Sequence, residues 1–320
     1  MISIVVPAFN EQESIEELHR RVTRAAEQWG EDHELIVVDD GSRDATLPIL
    51  ERLSTIDPRL KVVSLTRNFG HQAAVTAGLN HARGSIVCVL DADLQDPPEE
   101  ILPFINRVRD GMDVVYAIRR KRKEGVLKRA SYFLYYRILR RVATLDIPLD
   151  AGDFCVMNAE VARAINSLPE RNRFVRGLRT WVGFRQEGMA YERSARFAGE
   201  AKYTFFRLLR LAMDGIVNFS YRPLQLIMLL GMTVGFLAFA LGVVVLVQYL
   251  GDYTIAGYNP RQARGWTSLA LALLFSSAIQ LFCLGILGEY LGRLFEEAKR
   301  RPVYLVRRRI GVDPPELPLT

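Results

Sequence analysis

An α/β architecture with a doubly wound, mostly parallel sheet, followed by two membrane-crossing helices, is what three features of this sequence predict. Short β-branched runs alternate with helix-period segments over the first part of the chain. Acidic and amide clusters recur directly after three of those runs. Two long stretches near the C-terminal end carry no Lys, Arg, Asp or Glu.

The runs 2–7, 35–39, 62–65, 86–90 and 114–117 are nearly continuous in apolar residues. That pattern suits strands buried on both faces, as in parallel sheets covered by helices. Between them, 11–29, 44–56, 71–83 and 99–110 have helical periodicity. Strand and helix in alternation predict right-handed crossovers, with ligands beyond the carboxyl ends of the strands. Asn10 and Glu11 follow the first run, Asp39-Asp40-Gly41-Ser42 the second, and Asp91-Ala92-Asp93 the fourth. Three such clusters at neighbouring strand ends predict one site.

The stretches 224–250 and 267–288 are free of charged side chains. A helix needs roughly 20 apolar residues to cross the hydrocarbon of a bilayer. Arg207, Arg210 and Arg222 precede the first stretch, and Arg293, Lys299, Arg300 and Arg301 follow the second. The loop between holds only Arg261 and Arg264, with Asp252 opposing. The excess of basic residues outside the loop predicts a multi-pass chain with both termini cytoplasmic. Two buried core helices are the plainer alternative. The segments 132–141 and 203–211 interleave Arg with aromatic and aliphatic residues. They suit helices lying in the membrane interface, or helices packed on the domain by an apolar stripe.

Net charge is +6, with Lys and Arg crowded at 119–129, 137–141, 193–210 and 299–309. That charge suits an anionic partner, and with no nucleic-acid-binding module in view a membrane surface with a phosphorylated ligand fits better than DNA or RNA. The 3 cysteines lack CxxC spacing, which argues against a disulfide framework or a zinc site. No basic n-region or cleavage site follows Met1, so no signal peptide is expected. Of the histidines, only His71 lies in a motif.

Asp91 and Asp93 form a D-x-D pair after an apolar strand, extended by Gln95, Asp96, Pro97 and Pro98. Carboxylates two apart at a turn can both reach one hard cation, Mg²⁺ or Mn²⁺, which would bridge them to a diphosphate. Asp39 or Asp40 can accept hydrogen bonds from a base edge or ribose, while Ser42 caps the following helix.

Taken together, Val5-Val6-Pro7-Ala8-Phe9-Asn10-Glu11, Val37-Val38-Asp39-Asp40-Gly41-Ser42-Arg43-Asp44, Arg67-Asn68-Phe69-Gly70-His71 and Asp91–Pro98 resemble family-2 glycosyltransferases. Gly152-Asp153-Phe154, Gly199-Glu200-Ala201-Lys202-Tyr203 and the two apolar stretches are similar to the polyprenyl-phosphate enzymes of the dolichol-phosphate mannose synthase type. Within that group the chain most resembles bacterial bactoprenol glucosyltransferases, which supply glucose for O-antigen modification of lipopolysaccharide.

The resemblance implies a glycosyltransferase-A fold, a divalent metal and inverting transfer, in an enzyme of the bacterial inner membrane. It implies a catalytic domain over 1–200, an amphipathic interfacial segment at 201–223, two transmembrane helices within 224–294 and a cytoplasmic basic tail at 295–320. It makes Pro7, Ala8, Asn10, Glu11, Asp39, Asp40 and Asp91 the nucleotide-binding set, and Asp91, Asp93 and Gln95 the metal set. Arg119 and Arg129 fall where the family sets arginines against phosphates, Asp153 matches its catalytic acidic residue, and Asp153, Asp93, Arg119 and Arg129 form the expected catalytic set. Arg129, Arg196 and Lys202 would meet the acceptor phosphate. Ala201 departs from the Ser usual in that motif, which removes a hydroxyl and leaves the charge of Lys202.

The expected partners are a UDP-sugar, a polyprenyl phosphate and membrane lipid, with no nucleic acid. The basic stretch 302–310 reads as strand-like and could join a neighbouring subunit in a homo-oligomer. A phosphate monoester is mostly dianionic at neutral pH, its second pKa lying near 6, so it attacks without a strong base. Asp153 is therefore expected to orient rather than to take a proton. GDP-mannose or an aminoarabinose donor is the alternative, and a non-catalytic membrane scaffold is the rival outside enzymes. A processive polysaccharide synthase is disfavoured by the lack of a Gln-x-x-Arg-Trp stretch and by too few spans.

Overall fold

The computed structural model describes residues 1–119, 151–171, 173–191, 222–252, 254, 257, 259 and 265–314. Two compact units make up the chain, one of Met1–Gly215 with Arg300–Thr320 and one of Ile216–Lys299.

In the first unit, strands β1 (Ile2–Ala8), β2 (His33–Asp39), β3 (Leu60–Leu65), β4 (Ile86–Val89), β5 (Val114–Arg119), β6 (Ala151–Asn158), β7 (Gln186–Tyr191) and β8 (Val306–Ile310) form one sheet. Its order is β7-β5-β6-β4-β1-β2-β3-β8. The strands β4, β1, β2 and β3 are mutually parallel, and β5 and β7 run the same way, while β6 and β8 pair antiparallel. Helices α1 (Ile15–Ala26), α2 (Thr46–Ile56), α3 (His71–His81), α4 (Ile101–Arg109), α5 (Ala159–Ser167) and α6 (Val175–Trp181) connect or flank them.

Every residue of β1 and β2 is buried. Successive side chains of a strand point to opposite faces, so each strand feeds two cores. Leu35 and Val37 join Ile4, Val6, Leu18, Val22 and Phe104 on one face. Ile36 and Val38 join Val63, Ala74 and Ala77 on the other. On that second face α3 lies close to β1, since a Cβ on Gly78 would fall 2.2 Å from Val5 Cγ1. Pro7 sits at the end of β1, past the last residue paired with β4, where its missing N–H leaves no gap in that ladder.

All five expected strands are present, with ends shifted by up to two residues, and the four expected helices are shorter than their periodicity suggests. Three strands were not placed in the sheet by the sequence pattern. β6 mixes Gly152 and Asp153 with apolar residues, and β7 is a half-exposed edge whose Gly188 lies against Ile118 and Tyr116. The strand-like stretch at 302–310 contains β8, and its partner is β3 of the same chain.

The second unit consists of α7 (Arg222–Gly251) and α8 (Trp266–Ala298). Each holds a window long and apolar enough to cross a membrane, Ile227–Gln248 and Phe275–Ala298, and neither window is buried. They are therefore not core helices of a globular body: Phe236 and Phe239 are 71% and 72% exposed. The amphipathic segments at 132–141 and 203–211 lie outside the described residues.

Candidate active site

The site forms where the carboxyl ends of β1, β2 and β4 meet the start of α3. After Ala8 the chain turns sharply, with Asn10 at a φ of 56°, a left-handed conformation that Asn tolerates better than most residues. Its side-chain oxygen accepts from the Arg43 N–H at 2.9 Å, and its own N–H donates to Ser42 Oγ at 3.0 Å. The Glu11 N–H donates to Thr46 Oγ1 at 2.9 Å, and Gln12 Oε1 accepts from the Ala45 N–H at 3.0 Å. The β1–α1 and β2–α2 loops thus hold each other.

Asp39 and Asp40 are both buried. Asp39 accepts from the Ser42 N–H and from Ser64 Oγ, each at 3.0 Å. Asp40 accepts from the N–H groups of Phe69 and Gly70 at 2.7 and 2.9 Å. Burial raises the Asp40 pKa, and those two N–H groups pull against it. Both carboxylates thereby shape the loops, Asp40 by carrying the turn that leads into α3. The close fit at this point requires glycine: Gly41 has a φ of 69°, and a Cβ there would lie 2.5 Å from the Arg67 carbonyl carbon.

Asp91 follows β4. The β4–β6 register pairs Val89 with Cys155, so the antiparallel run of β6 brings Asp153 opposite Asp91. Between them lies His71, the first residue of α3, whose Nε2 is 3.7 Å from Asp91 Oδ1 and 3.4 Å from Asp153 Oδ2. From α6, Arg176 clasps Asp153 with Nε to Oδ1 at 2.8 Å and Nη2 to Oδ2 at 3.1 Å. The two helix starts are tied where the Val175 N–H donates to Gln72 Oε1 at 2.7 Å. Asp93 Oδ1 accepts from the Gln95 N–H at 3.1 Å, beside Leu94 at a φ of 58°. Asp96 is buried and accepts from the Tyr191 hydroxyl.

Asp91 and Asp153 differ electrostatically. Burial, together with Asp153, Asp96 and Asp93, raises the Asp91 pKa to about 6 against the opposing effect of His71. Burial would also raise Asp153, but Arg176 and His71 hold it well below the usual carboxylate range. Burial lowers the His71 pKa less than Asp153 and Asp91 raise it, so the net shift is upward. Two acidic groups on either side of His71, one with its pKa raised and one with its pKa lowered, make an asymmetric site.

The same crowding bears on a cation. Among the described residues no group of three or more His, Cys, Asp and Glu is arranged to hold a metal. Asp91 and Asp93 nonetheless offer hard oxygen donors two residues apart just after β4. Such donors would suit Mg²⁺ or Mn²⁺.

Of the residues expected from the sequence, Pro7, Ala8, Asn10, Glu11, Asp39, Asp40, Asp91, Asp93, Gln95 and Asp153 lie at or near these strand ends. Arg119 is the last residue of β5, paired with Tyr191. Arg129, Arg196 and Lys202 lie outside the described residues. Arg176 went unnoticed because it sits in the run Arg171, Arg173, Arg176, Arg179, and spacing does not distinguish its members. Arg173 instead binds the Leu168 and Ile165 carbonyls, and Arg179 lies buried 5.0 Å from the Tyr116 ring centroid.

The sequence profile of Glycosyl transferase family 2 matches residues 3–165, half of the chain and the whole stretch from β1 into α5. The chain belongs to that family. This family-2 glycosyltransferase is 44% identical over 313 residues to an uncharacterised glycosyltransferase of Bacillus subtilis, covering 97% of this chain and 94% of that one. It is 38% identical over 308 residues to the SfII prophage-derived bactoprenol glucosyl transferase of Shigella flexneri, covering 96% and 97%. Glucosyl-3-phosphoglycerate synthase from Mycobacterium tuberculosis is a similar solved structure, with a TM-score of 0.47 and 20% identity over 68% of this chain and 77% of that one.

Proposed function

We propose that this family-2 glycosyltransferase moves a sugar, glucose from UDP-glucose, onto a polyprenyl phosphate at the cytoplasmic face of the membrane. The observation that carries the reading is the reach of the similarity to bactoprenol glucosyl transferases, 96% of the chain, which takes in both the sheet and the two apolar helices. An enzyme that joins a soluble donor to a lipid acceptor needs both. Basic residues flanking the apolar stretches support a cytoplasmic catalytic unit.

The reaction joins two anions, which sets the demands on the site. A phosphate oxygen of the acceptor attacks the anomeric carbon of the sugar, the bond to the diphosphate breaks, and UDP leaves with the electron pair. A divalent cation at Asp91 and Asp93, when bound, would supply neutralisation of that leaving charge. Asn10, Glu11 and Asp39, at the ends of β1 and β2, are the residues proposed to meet the nucleotide. Arg119, Arg129, Arg196 and Lys202 are proposed to hold phosphates, Arg with its bidentate fork.

Asp153 suits orientation better than proton transfer. A general base works best with a pKa near the working pH. Burial would raise Asp153, but Arg176 and His71 overcome it and hold the carboxyl well below that range. The acceptor phosphate, with its second pKa near 6, brings its own negative oxygen. Arg176, Asp153 and His71 therefore form a fixed charge array beside Asp91, and the rate enhancement rests on positioning and preorganised electrostatics.

The test is to incubate purified full-length protein, polyprenyl phosphate and Mg²⁺ with a panel of radiolabelled nucleotide sugars. Label passing from UDP-glucose into the lipid phase is the expected result. Transfer from GDP-mannose or an aminoarabinose donor alone would replace the sugar. No transfer from any donor, without metal-dependent UDP binding, would support a scaffold.

A further inference from the structure

Helix α3 carries His71 at its first turn and buries Ala73, Ala74, Val75, Thr76, Ala77, Gly78, Leu79 and His81. Ala73, Ala74 and Ala77 share a core cluster with Ile36, Val38, Val63 and Leu65 of the sheet. The far end of the chain completes that cluster: Tyr304 is 1% exposed, with Phe69 and Val303 beside it. Residues that follow α8 also bond to the loop ahead of α3 and to its last turn. The Leu305 carbonyl accepts from the Thr66 N–H at 2.9 Å, in the loop that leads into the helix. At the last turn, Asn80 Nδ2 donates to the Tyr304 hydroxyl at 2.9 Å, and Arg309 Nε donates to His81 Nε2 at 3.2 Å. The His81 Nδ1 lies 2.7 Å from the Ala77 carbonyl, which suits the tautomer that leaves Nε2 to accept.

We propose that Tyr304 and the strand it introduces, β8, are positioning elements for the transfer reaction, holding α3 in the place that keeps His71 against Asp153 and Asp91. Only residues 299–303 separate α8 from Tyr304. The strap is thus the part of the catalytic unit directly joined to the second apolar helix. The buried Tyr304 ring, with the bonds at Asn80 and His81, fixes where the last turn of α3 lies along the sheet. Slippage of about 1 Å at a catalytic group is enough to cost orders of magnitude in rate. The proposal rests on the transfer activity proposed above, because it assigns the strap a role in turnover.

The test compares full-length Tyr304→Phe, Asn80→Ala and the double variant with the unaltered chain, in lipid nanodiscs containing polyprenyl phosphate. Tyr304→Phe keeps the buried ring and removes only the hydroxyl. Loss of one hydrogen bond from the strap is expected to lower kcat roughly fivefold in each single variant. The double variant should fall by the same factor, with the donor KM changed less than about twofold. Arg52→Ala is the control, since Arg52 pairs with exposed Glu16 on α1, away from the strap, and should leave kcat unchanged. Amide hydrogen exchange should rise in 66–81 for Tyr304→Phe and not in α1. Full kcat in Tyr304→Phe overturns the proposal, as does an equal loss in Arg52→Ala. If the unaltered chain transfers no sugar, the transfer reading fails, and unchanged exchange in 66–81 would still refute the strap on its own.

Discussion

Replacing Arg176 by Met tests the charge array directly. Arg176 gives Asp153 two N–H bonds, at 2.8 and 3.1 Å, with the pair's side chains 30% and 17% exposed. Without it Asp153 keeps, among the described residues, the His71 contact at 3.4 Å and stays largely out of water. Removing one partner of a well-buried pair costs about 3–5 kcal/mol. Partial exposure of Arg176 reduces this, and about 2–3 kcal/mol is expected. If that energy preorganises the site, kcat falls roughly 30- to 150-fold, at 1.36 kcal/mol per factor of ten. The sign of the pH effect follows from linkage. The depressed Asp153 pKa makes a contribution present above the unfolded value near 3.9 and lost as pH falls through the folded value. In Arg176→Met the folded value rises, so activity should begin to fall at higher pH than in the unaltered protein. The assay is transfer of label to lipid between pH 5 and 8. Arg176→Lys, which keeps the charge and loses the fork, should fall between the two. In a cycle with Asp153→Asn the losses should not add. A kcat within about twofold of normal in Arg176→Met, or full additivity with Asp153→Asn, would refute the reasoning.

Asp91→Asn and Asp93→Asn should each weaken Mg²⁺-dependent UDP binding by at least about tenfold, measured by calorimetry, while metal-independent binding changes little. Asp57 offers a stability test away from the site: although burial opposes it, bonds from Arg59 and His19 bring its pKa down to about 2. The unfolded value is near 3.9, so at most about 2.5 kcal/mol of stability is present above pH 4 and lost towards pH 2, less whatever solvent screens from half-exposed Arg59. Thermal melts of Asp57→Asn should therefore lie below those of the unaltered protein at pH 7 and converge with them in acid. Gly78→Ala places a methyl group 2.2 Å from Val5 Cγ1 and should destabilise the sheet unit by about 1–3 kcal/mol, read from its melting temperature.

What could be read from the sequence was whatever repeats over a short stretch of chain. β1 to β5 announced themselves by continuous apolar runs, and α7 and α8 by length and lack of charge. Because parallel strands place their ends together, Asn10, Asp39 and Asp91 could be assigned to one site before any contact was known. β6 was harder to see, since Gly152 and Asp153 break its apolar pattern at the end that lies in the site. Arg176 was hidden among neighbouring arginines because its role depends on what faces it across space.

The sequence alone determined an α/β sheet unit with carboxylates at its strand ends, joined to two apolar helices, because periodicity and hydropathy are local properties. Tertiary structure alone decided which charges meet. The antiparallel register of β6 sets Asp153 opposite Asp91. The start of α3 inserts His71 between them, α6 delivers Arg176, and the returning tail seats α3 through Tyr304. Each of these pairings joins residues distant in the chain, and its energy depends on burial and on angles that no local pattern encodes.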